Sequence, residues 1–434
     1  MNRAVLSILW LIGYLILVAS PLFVLLIVPT PATRGFWVEA VMQRLFRLLL
    51  LHTTLAGMLC GLLTAAAWGQ PPGYSVYRGC VHIHSVYSDG SGTFPEIIAA
   101  GQQAGLDFII TSDHNTLQPR IDGYEGWHEN LLTLIGVEIS TDAGHYFAMQ
   151  VPSDFRWPGN DAQQVIDAVN AAGGMGFIAH PVSRWEWRDW SVTGFAGLEI
   201  INQSSIVHRS FETQPLRALG QALTDILRGN GSRVLERAYR VRPSGPLDVW
   251  IEESLARRRQ LVTIGSVDAH ALMIVGSREI KLPTYEQSFN SLQTHVITPT
   301  PFTRDYPADR ALIYDAIRQG HCYTIYAIRG KALGFWFQGW NGQETAIMGD
   351  QLPLRNGVTL EARVPPHTEE LVIRLYRNGQ QLTNTRDDVL THTVTEPGIY
   401  HIEVNLVIGE QRWPWIISNP VYVAPNDGPA WEQP

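Results

Sequence analysis

The sequence predicts an α/β protein: a parallel sheet, closed as a barrel, preceded by two transmembrane helices and followed by a small antiparallel β-sandwich. Three observations predict this order. Short apolar runs alternate with amphipathic stretches between residues 79 and 329. Two long stretches before residue 68 carry no charged residue, and apolar and polar residues alternate between 330 and 424.

The first 68 residues are predicted to be a membrane anchor. Residues 4–28 are uncharged over 25 positions, which exceeds the roughly 20 residues that span a bilayer. Residues 48–67 form a second predicted span, in which His52 is the one costly group. A cleaved signal peptide is the alternative for the first stretch. A linker rich in glycine and proline is expected over residues 69–78.

The middle of the chain has the pattern of strands followed by helices. The strand-like runs are DFII (107–110), LLTLIG (131–136), MGFIAH (175–180), GLEII (197–201) and LVTIGS (261–266). Helices are expected over residues 93–105, 161–174 and 246–260, the first with Thr93 as its N-cap and Gly105 after its end. Repeated strand–helix alternation predicts parallel strands, because a helical crossover brings the chain back in the same direction.

The C-terminal part has a different hydropathy pattern. VTLEARV, ELVIRLYRNGQQLT and GIYHIEVNLV alternate apolar and polar residues, as half-buried antiparallel strands do. Asn378 and Gly379 are a strong hairpin signal. We therefore expect a β-sandwich over residues 330–424 and a loose tail over residues 425–434.

Composition excludes some classes of partner. The net charge is −8 and only two lysines are present, so no nucleic-acid scaffold is expected, since phosphates call for a basic surface. The three cysteines, at positions 60, 80 and 322, form neither a disulfide framework nor a zinc-finger pattern. Cys80 and Cys322 could pair in an oxidising compartment.

Metal-ligand residues follow the predicted strands. In CVHIHSVYSDGSG (80–92), two histidines lie two residues apart and so share one face of a strand. The later strand ends contribute further side chains of the same types. The full set is His82, His84, Asp89, Asp113, His114, Glu138, His145, His180, Asp268 and His270. The C-terminal ends of barrel strands meet at one mouth, and mixed imidazole and carboxylate ligands suit Zn, Mn or Fe.

The order of these motifs resembles the PHP (polymerase and histidinol phosphatase) superfamily. The motifs are His-x-His, Ser-Asp-Gly, Ser-Asp-His-Asn, Gly-Val-Glu, His, Ala-His-Pro and Asp-x-His, over roughly residues 79–271. Two motifs depart from the commoner forms, GSVDAH with Val267 and CVHIHS, but both keep the ligand spacing. The resemblance implies a distorted (β/α)7 barrel holding two or three divalent metal ions.

The resemblance also implies roles for the residues. His82, His84, Glu138 and Asp268 would hold one metal; Glu138 would bridge to a second, held by His145 and His180; Asp89, His114 and His270 would hold a third. Asp113 would orient a ligand or a water molecule. Glu138, His180 and Asp268 would take part in catalysis, and the reaction would be hydrolysis of a phosphoester, phosphomonoester or nucleotide-like, by a metal-bridging hydroxide.

Further expectations concern the substrate and the location. Arg184, Arg209 and Arg278 are candidates for binding the substrate phosphate, and Trp185, Trp187 and Trp190 form either a rim over the site or a packed cluster. The segment PWIISNPVYV (414–423) is similar to the tail of exported bacterial PHP proteins, so we expect the catalytic part on the extracytoplasmic side of the membrane.

Four other interpretations remain open. The same metals could hydrolyse an amide, lactone or sugar-linked bond. A Cys80 thiolate with His82 as its base is a second possibility. The protein could instead be a non-catalytic, membrane-tethered module whose sandwich binds a polysaccharide or another protein. The sandwich could also do no more than brace the barrel.

Overall fold

The structure, a computed structural model, describes residues 73–213, 220, 224, 232–275, 278–280, 282–428 and 430–433. All of them belong to one compact unit, Gly69–Pro434. The predicted membrane spans, 4–28 and 48–67, lie outside the described residues. Within the described ranges no helix has both the length and the apolar character needed to cross a membrane. The last four residues of the predicted linker, 75–78, already belong to a strand that begins at Ser75.

Short strands dominate the part of the chain before residue 330. They are β1 (Ser75–Val81), β2 (Phe108–Thr111), β3 (Gly126–His128), β4 (Leu131–Ile135), β5 (Val137–Ser140), β6 (His145–Met149), β7 (Met175–Ile178), β8 (Gly197–Asn202), β9 (Val262–Ser266), β10 (Met273–Val275), β11 (Arg278–Ile280), β12 (Gln293–Thr298) and β13 (Cys322–Ile325).

Helices lie between many of these strands. They are α1 (Phe94–Ala104), α2 (Gln118–Ile121), α3 (Ala162–Ala171), α4 (Gln203–Thr213), α5 (Ser232–Ala238), α6 (Ser244–Arg257), α7 (Tyr285–Phe289) and α8 (Tyr306–Arg318), with a short 3₁₀ helix at Ala327–Arg329.

The strands after residue 330 are longer on average. They are β14 (Trp336–Trp340), β15 (Thr345–Ile347), β16 (Gln351–Pro353), β17 (Val358–Arg363), β18 (Glu370–Arg377), β19 (Gln380–Thr385), β20 (Val389–Val394), β21 (Gly398–Ile408), β22 (Gln411–Ser418) and β23 (Val421–Ala424).

Helix α1 begins and ends where the capping residues in the sequence predict. Thr93 and Glu96 form a capping box, a proline lies in the first turn, and Gly105 ends the helix with φ 70°. A positive φ favours glycine, which has no Cβ to collide with the backbone. The helix buries Phe94 and Ile97 against the sheet core. The predicted helix over residues 93–105 is therefore confirmed.

Two sheets surround the site described below. In the first, β1 pairs in parallel with β2, and β2 with β4. In the second, β7, β8 and β9 are parallel, but β6 runs antiparallel to β5 and β7. This departs from the expected all-parallel order, because the link from β5 to β6 is a tight turn closed by Thr141 and Gly144, and a turn reverses the chain.

Backbone hydrogen bonds join the two sheets at both edges. Val267 N–H donates to Val81, and Ala269 N–H to the carbonyl of His82, each at 3.2 Å. At the other edge of the second sheet, Glu138 N–H donates to the carbonyl of Ser112 at 3.3 Å, and Asn115 N–H donates to the carbonyl of Glu138 at 3.0 Å. A single closed barrel remains a prediction, since the described strands form two sheets linked by short bridges.

The C-terminal strands continue the first sheet. Strand β12 pairs with β13, and β13 pairs with β22, which leads on to β21, β23 and β18. A separate sheet of β15, β14, β17 and β20 lies against them, and side chains such as Phe337, Leu360 and Ile402 form a common core. The predicted sandwich over 330–424 remains a prediction, because part of it shares a sheet with β1.

The C-terminal part contains a predicted hairpin turn and a tail that is more ordered than expected. Asn378 and Gly379 join β18 to β19 with φ 50° and 80°, as a two-residue hairpin turn requires. The expectation of a loose tail over 425–434 is wrong near its end. Trp431 is buried against Tyr422, and the backbone of Glu432 hydrogen-bonds to Arg258 and Gln260. Burial of the large indole accounts for this ordered end.

Candidate metal centre

The predicted ligands lie at the ends of neighbouring strands. His82 directly follows β1, Glu138 is the second residue of β5, and His145 is the first residue of β6. His180 and Asp268 each lie two residues after a strand, β7 and β9. Pairing of these strands brings their ends to one edge, so side chains distant in sequence become neighbours.

Glu138 is the centre of this cluster. Its carboxylate is buried, with 1% of the residue exposed. Five histidines place a ring nitrogen close to it. The distances are 2.9 Å from His82 Nε2, 3.1 Å from His84 Nε2 and 3.4 Å from His114 Nδ1 to Oε2, and 2.9 Å from His145 Nδ1 and 3.1 Å from His180 Nε2 to Oε1. The two carboxylate oxygens thus face different groups of histidines.

Two aspartates complete the cluster. Asp268 Oδ1 lies 3.2 Å from His84 Nε2 and 3.4 Å from His82 Nε2. Asp89 lies at the open side, with its carboxylate 3.3 Å from His270 Nε2, 3.4 Å from His84 Nδ1 and 3.6 Å from His114 Nε2. The structure therefore brings all nine predicted ligands into one cluster.

Backbone conformation turns several of these side chains inward. His82, His180 and Asp268 have φ values of 66°, 32° and 45°, a region that non-glycine residues rarely adopt. Such strain persists where the surrounding structure enforces it, and it concentrates at functional sites. All three are predicted ligands within two residues of the end of a strand.

Glu199 is a site residue that the sequence reasoning missed. It is buried in β8, and its Oε1 lies 2.6 Å from His82 Nδ1. Its Oε2 accepts hydrogen bonds from the backbone N–H of His180 at 2.8 Å and from Asn202 at 3.0 Å. A lone carboxylate within the apolar run GLEII was the available signal.

Asp113 acts on the loop that contains Asp89 rather than on a histidine ring. Its Oδ1 accepts hydrogen bonds from Ser85 N–H at 2.7 Å and Ser88 Oγ at 2.8 Å, and its Oδ2 accepts one from Ser85 Oγ at 2.7 Å. The predicted orienting role is thus directed at the chain between His84 and Asp89.

The charges in the cluster depend on one another. Burial alone would raise the pKa of Glu138, but the neighbouring histidines lower it, and the pKa lies well below its usual range. Burial would lower the pKa of His82, but Glu138 and Glu199 raise it well above its usual value. The carboxylate and the histidine rings thus stabilise each other's charged forms.

The donor set fits divalent metal ions. His84 Nε2 and His114 Nδ1 are buried. They lie 3.1 Å and 3.4 Å from Glu138 Oε2, but neither makes a hydrogen bond of acceptable geometry with a described residue, and buried polar atoms without such a bond are costly. Three overlapping groups of potential ligand atoms lie within 4.8 Å of one another: His82, His84 and Glu138; His114, Glu138 and His145; and His84, Asp89, His114 and His270. Metal ions would satisfy these atoms, and the mixed nitrogen and oxygen donors suit transition metals.

These groups differ in detail from the three sets that the resemblance implied. His114 falls into two groups, and His84 joins the group around Asp89. His180 and Asp268 are outside the three groups but lie 3.1 Å from Glu138 and 3.2 Å from His84. Glu138 belongs to two groups, which is what a bridging carboxylate requires.

A cavity of about 710 Å³ adjoins the cluster at His180 and Glu199. Arg184 and Arg209, two of the predicted substrate residues, line it. The side chain of Arg278 lies outside the described residues. The three tryptophans separate: Trp185 lines the cavity and is 43% exposed, Trp187 is buried, and Trp190 packs against the core.

The cysteine alternatives do not agree with the geometry. Cys80 and Cys322 are both buried and unpaired. The Cys80 thiol lies 3.3 Å from the carbonyl of Leu292, and burial raises its pKa well above the usual value. A thiol held in this state is a poor nucleophile, since the thiolate is the reactive form.

Comparisons with known proteins give structural matches. A scan against protein-family models and a search of curated proteins find no match. Among solved structures, a two-domain protein from Bacteroides vulgatus, which contains a predicted PHP-like metal-dependent phosphoesterase, is 16% identical, with a TM-score of 0.39 over 80% of this chain and 96% of that one.

Two further solved structures are similar over 44% of this chain and 87% of their own length, each with a TM-score of 0.28. One is a putative metal-dependent phosphoesterase from Bifidobacterium adolescentis, 15% identical, and the other an amidohydrolase from Chromobacterium violaceum, 14% identical. At these TM-scores the likenesses carry no argument about activity, so the functional argument depends on the site.

Proposed function

We propose that the protein is a metal-dependent hydrolase of the PHP type that cleaves a phosphoester. The observation that carries the proposal is the buried Glu138 carboxylate, approached by ring nitrogens of five histidines at 2.9 to 3.4 Å, beside a cavity of about 710 Å³. A closed seven-stranded barrel is part of the same proposal.

The nine clustered side chains would hold two or three divalent ions, Zn, Mn or Fe. When bound, such ions lower the pKa of a coordinated water and offset the charge of a phosphate. Glu138 would bridge two of the ions, because a carboxylate has two oxygens. With metals supplying the nucleophile and the charge stabilisation, no side-chain nucleophile is required.

The chain's own residues hold this arrangement in place. Glu199 Oε1 would accept a hydrogen bond from His82 Nδ1. With a metal bound, His82 Nε2, which lies 2.9 Å from Glu138 and 3.4 Å from Asp268, would then be the ligand atom. His180 lies at the boundary between the cluster and the cavity, so substrate in the cavity would be adjacent to it. Arg184 and Arg209 would bind the phosphate, since a guanidinium matches phosphate geometry.

Membrane anchoring through residues 4–28 and 48–67, with the hydrolase on the extracytoplasmic side, is a further part of the proposal that rests on the sequence. Protease treatment of intact cells tests it: cleavage of the hydrolase without cell lysis supports this orientation, and full protection argues for the opposite one.

Metal analysis combined with a phosphoester panel tests the function. We expect purified full-length protein to bind at least two divalent ions and to hydrolyse some phosphoesters, with loss of turnover in Glu138→Gln. Glu253→Gln is the matched control, because Glu253 pairs with Arg257 one helical turn away in α6. Metal binding with cleavage of amides or lactones and of no phosphoester would contradict the phosphoesterase assignment.

A further inference from the structure

The cavity beside the cluster is too large for phosphate alone. Its volume of about 710 Å³ lies within the range of sites that bind small organic molecules, roughly 300 to 1,000 Å³. His180 and Glu199 lie at the end next to the cluster. A phosphate near His180 would therefore leave room for the rest of the substrate.

Trp185 is the large aromatic side chain in the wall of this cavity. It is 43% exposed, whereas Trp187, two residues later, is 3% exposed. The Trp185 ring centroid lies 6.4 Å from that of His180 and 5.6 Å from that of His208. Large aromatic rings are usually buried, and exposed ones concentrate in binding sites.

A hydrogen bond holds the backbone at Trp185 close to the cluster. Ser183 Oγ accepts it from the backbone N–H of Trp185 at 3.1 Å and lies 3.4 Å from His180 Nδ1. The Arg184 guanidinium lies 5.6 Å from the centroid of the Trp185 ring. A cation and an aromatic surface are thus adjacent to a predicted ligand.

The remaining wall is mixed, with Arg209, Arg242, Ser205 and His208 beside a group of apolar side chains. Val182 and Val241 are 38% and 74% exposed, and Ile206 and Pro243 also line the cavity. Exposed apolar side chains around an aromatic ring favour an apolar, flat group over a polar chain.

We propose that the substrate is a phosphoester whose leaving group carries a planar ring, and that Trp185 stacks against this ring. The proposal rests on the proposed phosphoesterase function. The phosphate lies toward His180, with Arg184 beside it, and the ring lies over the exposed part of the indole. Trp185 thereby sets the substrate specificity, whereas the metal cluster carries out the hydrolysis.

Benzyl phosphate and hexyl phosphate provide the test, since both release a primary alcohol of similar size and only one carries a ring. We expect Trp185→Ala to lower kcat/KM for benzyl phosphate roughly tenfold or more, as loss of a stacking side chain does, and to change the value for hexyl phosphate by less than about twofold. Trp185→Phe should keep most of the preference. Tyr74→Ala, which removes an aromatic residue that is 37% exposed outside the cavity lining, should change neither value.

An equal loss for both esters would overturn the proposal, because it would indicate that Trp185 only supports the fold. The binding of benzyl and hexyl phosphonate, which cannot be hydrolysed, separates this proposal from the proposed function. If neither ester is hydrolysed but wild type prefers benzyl phosphonate and Trp185→Ala loses that preference, stacking stands while the phosphoesterase assignment fails. Absence of any preference in the wild type would overturn the stacking role.

Discussion

His82 Nδ1 lies 2.6 Å from Glu199 Oε1, and both side chains are fully buried. The relationship connects two strands, because His82 follows β1 and Glu199 lies within β8. A carboxylate on one ring nitrogen fixes the tautomer and orientation of the imidazole and makes the other nitrogen a better ligand. Glu199 also accepts the backbone N–H of His180, so one side chain positions two predicted ligands.

Replacing Glu199 by glutamine should weaken metal binding without removing a ligand. An amide is neutral, so it stabilises the oriented imidazole less well than a carboxylate does. We expect metal affinity to fall roughly 10- to 100-fold, measured by titration against a competing chelator. Unchanged affinity, with the Glu253→Gln control also unchanged, would show that Glu199 does not support the metal centre.

Tyr285 should position the His-x-His and Asp-x-His motifs relative to each other. Its hydroxyl donates to the carbonyl of His84 at 2.8 Å, lies 3.2 Å from that of His270, and accepts from Gly92 N–H at 3.1 Å. Tyr285→Phe leaves these buried backbone groups short of a partner, at a cost of about 1 to 3 kcal/mol in the free energy of unfolding. We also expect fewer bound metal ions per chain, measured by elemental analysis alongside urea unfolding.

Tyr314→Phe is a suitable comparison for that experiment. Its ring is buried, and its hydroxyl, which faces the backbone of Gln150, makes no hydrogen bond of acceptable geometry with a described residue. The variant should therefore retain both stability and metal content. Normal metal content in Tyr285→Phe would restrict Tyr285 to a stabilising role.

Glu403 should hold the cavity wall to the C-terminal strands. Arg242 lines the cavity and donates from Nε and Nη2 to the Glu403 carboxylate, with distances of 2.6 to 3.0 Å. Burial would raise the pKa of Glu403, but hydrogen bonds from His401 and Arg242 lower it to about 2. Glu403→Gln leaves Arg242 without its counter-charge, and we expect the free energy of unfolding to fall by about 2 kcal/mol.

Chemical denaturation at neutral pH measures this loss. Glu370→Gln is the control, because Glu370 and Arg386 form an ion pair with side chains 75% and 69% exposed, and such pairs contribute little. Equal stability of Glu403→Gln and wild type would mean that water replaces the carboxylate at no cost.

His295 should make stability depend on pH. It is buried in β12 between Tyr323 and Gln293, and burial, with a smaller effect of Arg78, lowers its pKa to about 3. The folded protein keeps His295 neutral while the unfolded chain takes up a proton below about pH 6.5. Its stabilising contribution is therefore complete above pH 6.5 and is lost as the pH falls toward 3.

Comparison of wild type with His295→Gln isolates this effect from the other histidines. Between pH 7.5 and pH 5, wild type should lose about 2 kcal/mol more in the free energy of unfolding than the variant, since each pH unit between the two pKa values contributes about 1.4 kcal/mol. Parallel stability curves for the two proteins would mean that His295 is protonated in the folded protein, through contact with solvent or with a hydrogen-bond acceptor.

The local part of the fold could be predicted because its signals are local. Thr93, Glu96 and Gly105 mark the ends of α1 within one short stretch of sequence. Most ligand residues could be found because they lie within a few residues of a strand end, where the fold brings them together, whereas Asp89 lies in the loop that follows β1. Glu199 had a weaker signal, since a single carboxylate in an apolar strand is equally consistent with a structural ion pair.

Contacts between distant residues could not be predicted. Tyr285 and His84 are 201 positions apart, and Arg242 and Glu403 are 161 positions apart. Nothing in either local sequence indicates the partner. The antiparallel direction of β6 and the ordered position of Trp431 could not be predicted either, since both depend on which part of the fold lies next to them.

By itself the sequence determined the order of strands and helices around the site and the nine side chains of metal-ligand type. These depend on residue type and spacing, which act over a few residues. Only the tertiary structure decided that Glu138 is the carboxylate shared by five histidines, that Glu199 orients His82, and that Trp185 faces a cavity while Trp187 is buried. The reason is physical. Burial and ion pairing depend on distances in space, and these distances are determined jointly by segments that lie far apart in the sequence.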